Sequence, residues 1–160
     1  MLQAKNTLVS FIGLGSRTAA PLLYNYINEH PNSFVLEQES KFFSDEKRYQ
    51  AGLATYEALY SGHLPNQVCG ELAAGYLERP GAAQLIARSY PDAKLLAVIE
   101  NPLVSVRVEY LRAKRARVSS ARGPLSEFLK NNPEVLLRAR YGRMLVPYFH
   151  YYATTDLLVV

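Results

Sequence analysis

Phe11–Leu23 reads FIGLGSRTAAPLL. It follows the first apolar run of the chain, TLVSFI at Thr7–Ile12, and leads into APLLYNYINEHP at Ala20–Pro31. A short apolar run predicts a buried strand, and the glycines predict a turn. Thr18 is placed to cap the helix that follows, with Pro21 tolerated in its first turn. Strand, glycine turn and helix start together make a site where backbone amides hold anions. The usual Gly-Lys-Ser/Thr ending of a phosphate loop is absent, so the stretch reads either as an altered phosphate loop or as an ordinary turn between strand and helix.

The pattern repeats outward from this stretch. Leu22, Leu23, Tyr26 and Ile27 predict one apolar helix face, ended by Pro31. SFVLEQ (33–38) reads as a second strand. SDEKRYQAGLATYEALYSG (44–62) reads as one helix, capped by Ser44 or Asp45 and closed by Gly62. QVCGEL (67–72) reads as a short strand, RPGAAQLIARSYP (79–91) as a helix between prolines and KLLAVIE (94–100) as a buried strand. A basic helix follows Pro102, then PLSEFLKN (124–131), then a longer helix started by Asn132 and Pro133 and running through EVLLRARYGRMLVPYFHYY (134–152). DLLVV (156–160) is a final strand. Strands alternating with helices predict an α/β fold, a parallel sheet with helices on both faces.

Bulk properties bound the function. The 160 residues are one domain's worth, 49% hydrophobic and 20% charged, an ordinary globular composition. The single cysteine, Cys69, rules out an internal disulfide framework and reads as a buried structural thiol. His63 and His150 have no ligand-like partners at useful spacing, and no metal site is expected. No apolar run reaches transmembrane length, and the first residues lack the basic, then long apolar pattern of a signal peptide. The cytoplasm is the expected setting. The net charge of +4 is uneven: Arg107, Arg112, Lys114, Arg115, Arg117 and Arg122 cluster in the C-terminal half, with Arg138, Arg140 and Arg143 beyond. Such a field attracts anions, though a solvated helix face gives the same pattern. Only Tyr110 interleaves with the run, which argues against nucleic acid as a partner.

In a parallel α/β sheet, ligands bind beyond the carboxyl ends of the strands. Gly13–Arg17, Glu37–Lys41, Cys69–Glu71 and Glu100–Pro102 occupy those positions. They bring Arg17, Glu39, Lys41 and Glu71 forward as candidates.

Element order and motifs resemble the sulfotransferases that use 3′-phosphoadenosine 5′-phosphosulfate. That family opens with a strand and loop of the form I-I-G-x-x-K-x-G-T-[ST]-x-L. A helix ending in H-P follows, then a strand ending near K-E-x-x-F-F. Here His30-Pro31 and ESKFFS (39–44) stand in those places. YQAGLATYEALYSG, VCGELAAGYLERPGAAQLIARSYPDAKLLAVIENP, PLSEFL and the closing RYGRMLVPYFHYYATTDLLVV follow the family's later segments in order. The branch acting on carbohydrates, with its bacterial relatives, is the most similar. The resemblance implies a P-loop-like sheet in a single domain over residues 1–160. It also implies transfer of a sulfuryl group to a hydroxyl or amine of a glycan or small metabolite. Gly13, Gly15, Ser16, Arg17, Thr18 and Arg107 would hold the cofactor. Glu39 would be the base, with Arg17 beside it, and Lys41, Glu71 and Tyr76 would meet the acceptor.

Three departures accompany it. Arg17 stands for the family's Lys, with Ala19-Ala20 for its Gly-Thr; Gln38 replaces a Lys beside Glu39. Glu100 and Val108 stand where an Arg and a Ser hold the 3′-phosphate, and a carboxylate there repels what a guanidinium would pair with. Relatives also continue past the LLVV strand into segments that complete the nucleotide pocket. The chain then reads as a fragment, as part of an assembly with another polypeptide, or as a pared-down homologue. A non-catalytic protein of the same fold, binding an acidic partner through its basic face, is the alternative function.

Overall fold

A computed structural model describes residues 8–15 and 19–160. Their strands form one parallel five-stranded sheet in the order β2-β3-β1-β4-β5, so the chain has the expected α/β fold. The strands are β1 (Val9–Gly15), β2 (Ser33–Val35), β3 (Val68–Ala73), β4 (Lys94–Val98) and β5 (Leu157–Val159). The central strand β1 aligns Ile12 with Glu71 of β3 on one side and with Leu95 of β4 on the other. Covered on both faces, such strands become continuous apolar runs rather than alternating ones. Ile12, Leu14, Leu95 and Ala97 are accordingly buried.

The helices are α1 (Ala20–Asn28), α2 (Glu46–Gln50), α3 (Leu53–Glu57), α4 (Ala74–Glu78), α5 (Ala82–Ser89), α6 (Pro102–Arg115), α7 (Leu125–Asn131), α8 (Glu134–Arg138) and α9 (Tyr141–Tyr151). The chain divides into two compact units, one of Met1–Ile99 with Leu145–Val160 and one of Glu100–Met144.

In the first unit the sheet carries a core rich in tyrosine. Tyr56, Tyr60, Tyr76, Tyr90 and Tyr148 are among the largest fully buried side chains. Each hydroxyl has a partner, as buried phenols require: Tyr148 donates to the Tyr76 carbonyl at 2.8 Å, and Tyr90 to Glu57 at 3.1 Å. The second unit packs α6, α7 and α8 around Val106, Ala121, Phe128 and Val135. Asn101 caps α6 by accepting from the Leu103 amide, and Arg112, Lys114 and Arg115 fill its last turn, where cations complement the helix dipole.

Several expectations need correction. The helix predicted over 44–62 is broken: α2 ends at Gln50, and Gly52 at φ +93° starts α3. A positive φ is tolerated at glycine and interrupts helical backbone. Asp45, not Ser44, caps α2, accepting from the Lys47 and Arg48 amides. The helix predicted over 134–152 is likewise divided into α8 and α9. The apolar face predicted for α1 is split. Leu22 and Tyr26 are 74% and 77% exposed, while Leu23, Tyr24 and Ile27 are half-buried. The second strand stops at Val35, although Leu36 still donates to the Gly70 carbonyl.

Candidate functional site

In the sheet order, β1 sits between β3 and β4. The chain leaves β1 for one side of the sheet and later crosses to the other, which makes its carboxyl end a topological switch point. That end is Gly15, at φ +81°. A Cβ there would lie 2.4 Å from the Val98 carbonyl oxygen, so glycine is needed both for conformation and for the close approach of β4. Helix α1 follows with Pro21 in its first turn and Ala19 at its N-cap; Thr18, the expected cap, lies outside the described residues. Ser16, Arg17 and Thr18, expected to hold the cofactor, lie outside the described residues. Gly13 packs against Leu72.

The segment after β2 is anchored by three buried side chains. Ser40, Phe42 and Phe43 are buried, whereas Glu39 is half-buried and Lys41 exposed. Phe42 stacks on Tyr56 with ring centroids 4.9 Å apart, and Phe43 meets Tyr76 edge-on at 5.5 Å. Lys41 has φ +59°, rare for a residue with a side chain, and its carbonyl accepts from the Ser44 and Asp45 amides. Glu39 Oε1 accepts from the Gly75 amide at 3.1 Å.

Glu39 forms part of two clefts in the first unit. One, of about 410 Å³, runs beside α1 along Pro21, Tyr24, Asn25, Glu37 and Leu72. The other, of about 380 Å³, is formed with Lys41, Ser44, Gly75, Glu78 and Arg79. A carboxylate shared by two clefts can take a proton from a group bound in either.

Glu71 and Tyr76 were expected to meet the acceptor. The structure encloses both: each is 0% exposed. Strand β3 runs on to Ala73, so Glu71 is within the strand rather than at its end. Its Oε1 accepts from Tyr56 at 2.7 Å and from Tyr76 at 2.6 Å, and its Oε2 accepts from the Ser40 amide at 3.1 Å. Burial pushes the Glu71 carboxyl above its ordinary range, against the opposing pull of those hydrogen bonds. Burial, then the Glu71 charge, also raises Tyr56, Tyr60 and Tyr76, so all three remain protonated donors at neutral pH.

Arg107 lies exposed on α6 in the second unit. That unit carries ten Lys and Arg against four Glu, leaving the rest of the chain slightly acidic. Lys114 sits 5.4 Å from the Tyr110 ring centre, and Arg117 has φ +55°. Cys69 is a buried free thiol, raised by burial. Among the described residues no group of three or more His, Cys, Asp or Glu could hold a metal, and no helix is long and apolar enough to cross a membrane.

Sequence reasoning did not bring forward Ser40, Gly75 or Arg79. No local signal marks them; they take their places through contacts across the fold.

The fit to the expected cofactor rests on the strand–glycine–helix frame. A positive-φ glycine ends the central strand and a helix begins at Ala20 beyond it, a frame that suits the phosphosulfate end of such a molecule. No family model matches the chain. Over 88 residues, 55% of the chain, it is 31% identical to the heparan sulfate glucosamine 3-O-sulfotransferase 6 of Homo sapiens and to that of Mus musculus. The chain spans about a quarter of the length of these curated relatives. A crystal structure of a sulfotransferase from Alicyclobacillus acidocaldarius superposes with a TM-score of 0.78, covering 95% of this chain and 72% of that one at 22% identity. In sequence over those 88 residues, and in fold over nearly its whole length, the chain resembles the sulfotransferases.

Proposed function

We propose that residues 1–160 are a sulfotransferase-like domain that moves a sulfuryl group from 3′-phosphoadenosine 5′-phosphosulfate to a hydroxyl or amine of a glycan or small metabolite, in the cytoplasm. The observation that carries this reading is Glu39: a carboxylate beyond the end of β2, oriented by the Gly75 amide and open to two clefts. The sequence and fold resemblances support the reaction class.

In this reading Arg17 and the amides around Gly13–Thr18 hold the phosphosulfate end. Bound there, the cofactor supplies a sulfuryl group, whose bond to the phosphate oxygen breaks as the acceptor oxygen or nitrogen bonds to sulfur. Glu39 accepts the proton that the acceptor loses. Lys41 offers a positive charge at the rim of the second cleft. Calorimetric titration with 3′,5′-adenosine bisphosphate tests the proposal. Saturable binding supports it, and absence of heat at millimolar ligand refutes it.

A second reading is a non-catalytic protein of this fold that binds an acidic partner through Glu100–Met144. Its support is the net charge of +6 on that unit, together with Glu100 and Val108 at positions where relatives place cofactor ligands. Failure to bind the bisphosphate, combined with salt-sensitive binding to an acidic polymer, would favour it.

A further inference from the structure

We infer that Glu71 is a positioning residue: buried under the site, it fixes Ser40 and thereby aims the flanking Glu39 and Lys41 outward. The inference rests on the proposed role of Glu39 for its catalytic consequence, though not for its structural one.

Ser40 is secured at every polar atom. Its amide donates to Glu71 Oε2 at 3.1 Å. Its hydroxyl lies 2.9 Å from the Tyr76 hydroxyl and accepts from the Phe42 amide at 3.1 Å. Its carbonyl accepts from Arg48. Tyr76 gives its own proton to Glu71, so Ser40 Oγ donates to the tyrosine oxygen. On the other side, Tyr60 donates to Tyr56, and Tyr56 to Glu71. All the donors in this cluster converge on one carboxylate. Both of its oxygens are used, and among the described residues no buried side-chain N or O lacks a partner.

A buried carboxylate in a sheet is expensive unless fully bonded. Nothing about the sheet requires one at this position, since the neighbouring strand offers Ile12 there. What the carboxylate supplies is an acceptor for the Ser40 amide, in a segment without strand or helix to pair its backbone. Ser40 is held by its neighbours in the fold, while Glu39 and Lys41 on either side face the clefts. The positive φ of Lys41 is a conformation that persists only where surrounding contacts hold it.

The test compares Glu71→Leu with Glu71→Gln. Leucine removes the acceptor. Glutamine can keep its carbonyl toward the Ser40 amide and turn its NH2 toward the tyrosine oxygens, whose hydroxyls rotate to Ser40 Oγ and Tyr60. Amide hydrogen exchange over residues 37–45 should rise about tenfold or more in Glu71→Leu and stay within about threefold of the parent in Glu71→Gln, with β1 and β4 unchanged in both. In transfer assays kcat should fall about tenfold or more in Glu71→Leu alone, with affinity for 3′,5′-adenosine bisphosphate within about twofold. Tyr76→Phe, which removes one hydroxyl from both Glu71 and Ser40, gives the same local rise in exchange if Glu71→Leu does not fold. Equal behaviour of the leucine and glutamine variants, unchanged exchange over 37–45, or an increase spread evenly through the sheet would overturn the inference. Exchange is read without turnover, so a parent without transferase activity would retire the proposed function and leave the role of Glu71 to the exchange result.

Discussion

The Gly75 amide donates to Glu39 Oε1 at 3.1 Å, and a Cβ built on Gly75 would lie 2.6 Å from that same oxygen. The residue that orients the carboxylate is therefore also the one whose lack of a side chain makes room for it. Gly75→Ala should push the Glu39 carboxylate aside. The clash is with the end of a flexible side chain, and alanine is the better helix former within α4, by about 1 kcal/mol. Transfer should fall about tenfold or more while urea stability stays within about 1 kcal/mol of the parent. Unchanged transfer would show that Glu39 acts, if at all, from another orientation.

Gly15→Ala should behave in the opposite way. Gly15 has φ +81°, and a Cβ would meet the Val98 carbonyl oxygen at 2.4 Å. A backbone oxygen in a paired strand cannot swing aside. Conformational strain and overpacking together predict a loss of about 2–4 kcal/mol in urea unfolding. A loss below about 0.5 kcal/mol would mean that β1 and β4 separate there at little cost.

Glu71 gives a pH dependence of definite sign. Burial raises its carboxyl above 4.5 in the folded chain. At low pH both folded and unfolded states hold the proton, and its contribution is fully present. As pH rises the unfolded state ionises first, so folding is progressively disfavoured until the raised folded value is passed. Stability of the parent relative to Glu71→Gln should therefore decline with rising pH from about 4.5 upward. Melting temperatures of the two proteins, measured in parallel from acid to neutral pH, check this. A difference that grows in the parent's favour as pH rises would contradict it.

The resemblance to sulfotransferases gives Glu100 and Val108 a direct test. Glu100→Arg with Val108→Ser removes a repulsion and adds a charge-assisted hydrogen bond toward the 3′-phosphate. Binding of 3′,5′-adenosine bisphosphate should tighten by about 1–3 kcal/mol. Titration of the double variant against the parent measures it, and no gain would place the 3′-phosphate elsewhere.

The strands were legible because their chemistry is local. The runs that become β1 and β4 are mostly apolar, broken only by Ser10 and the exposed Lys94, which suits strands at the centre of a parallel sheet. The helix breaks were not. Gly52 is compatible with helix in sequence, and only its positive φ in the fold ends α2 and restarts the chain as α3. The outward turn of Leu22 and Tyr26 was hidden for a similar reason. Four apolar residues at helical spacing do not say which two meet the sheet. Glu39 could be nominated from its place after a strand and from the ESKFFS motif. The role of Glu71 could not, because sequence does not show that Tyr56, Tyr76 and Ser40 converge on it from 15, 5 and 31 residues away.

Glu39→Gln keeps the shape of the side chain and removes the base, so it isolates the proton transfer. Three quantities on this one variant are informative: sulfuryl transfer, affinity for 3′,5′-adenosine bisphosphate and melting temperature. Transfer should fall by about 100-fold or more, with cofactor affinity and stability nearly unchanged. Transfer equal to that of the parent would contradict this and remove Glu39 from the mechanism.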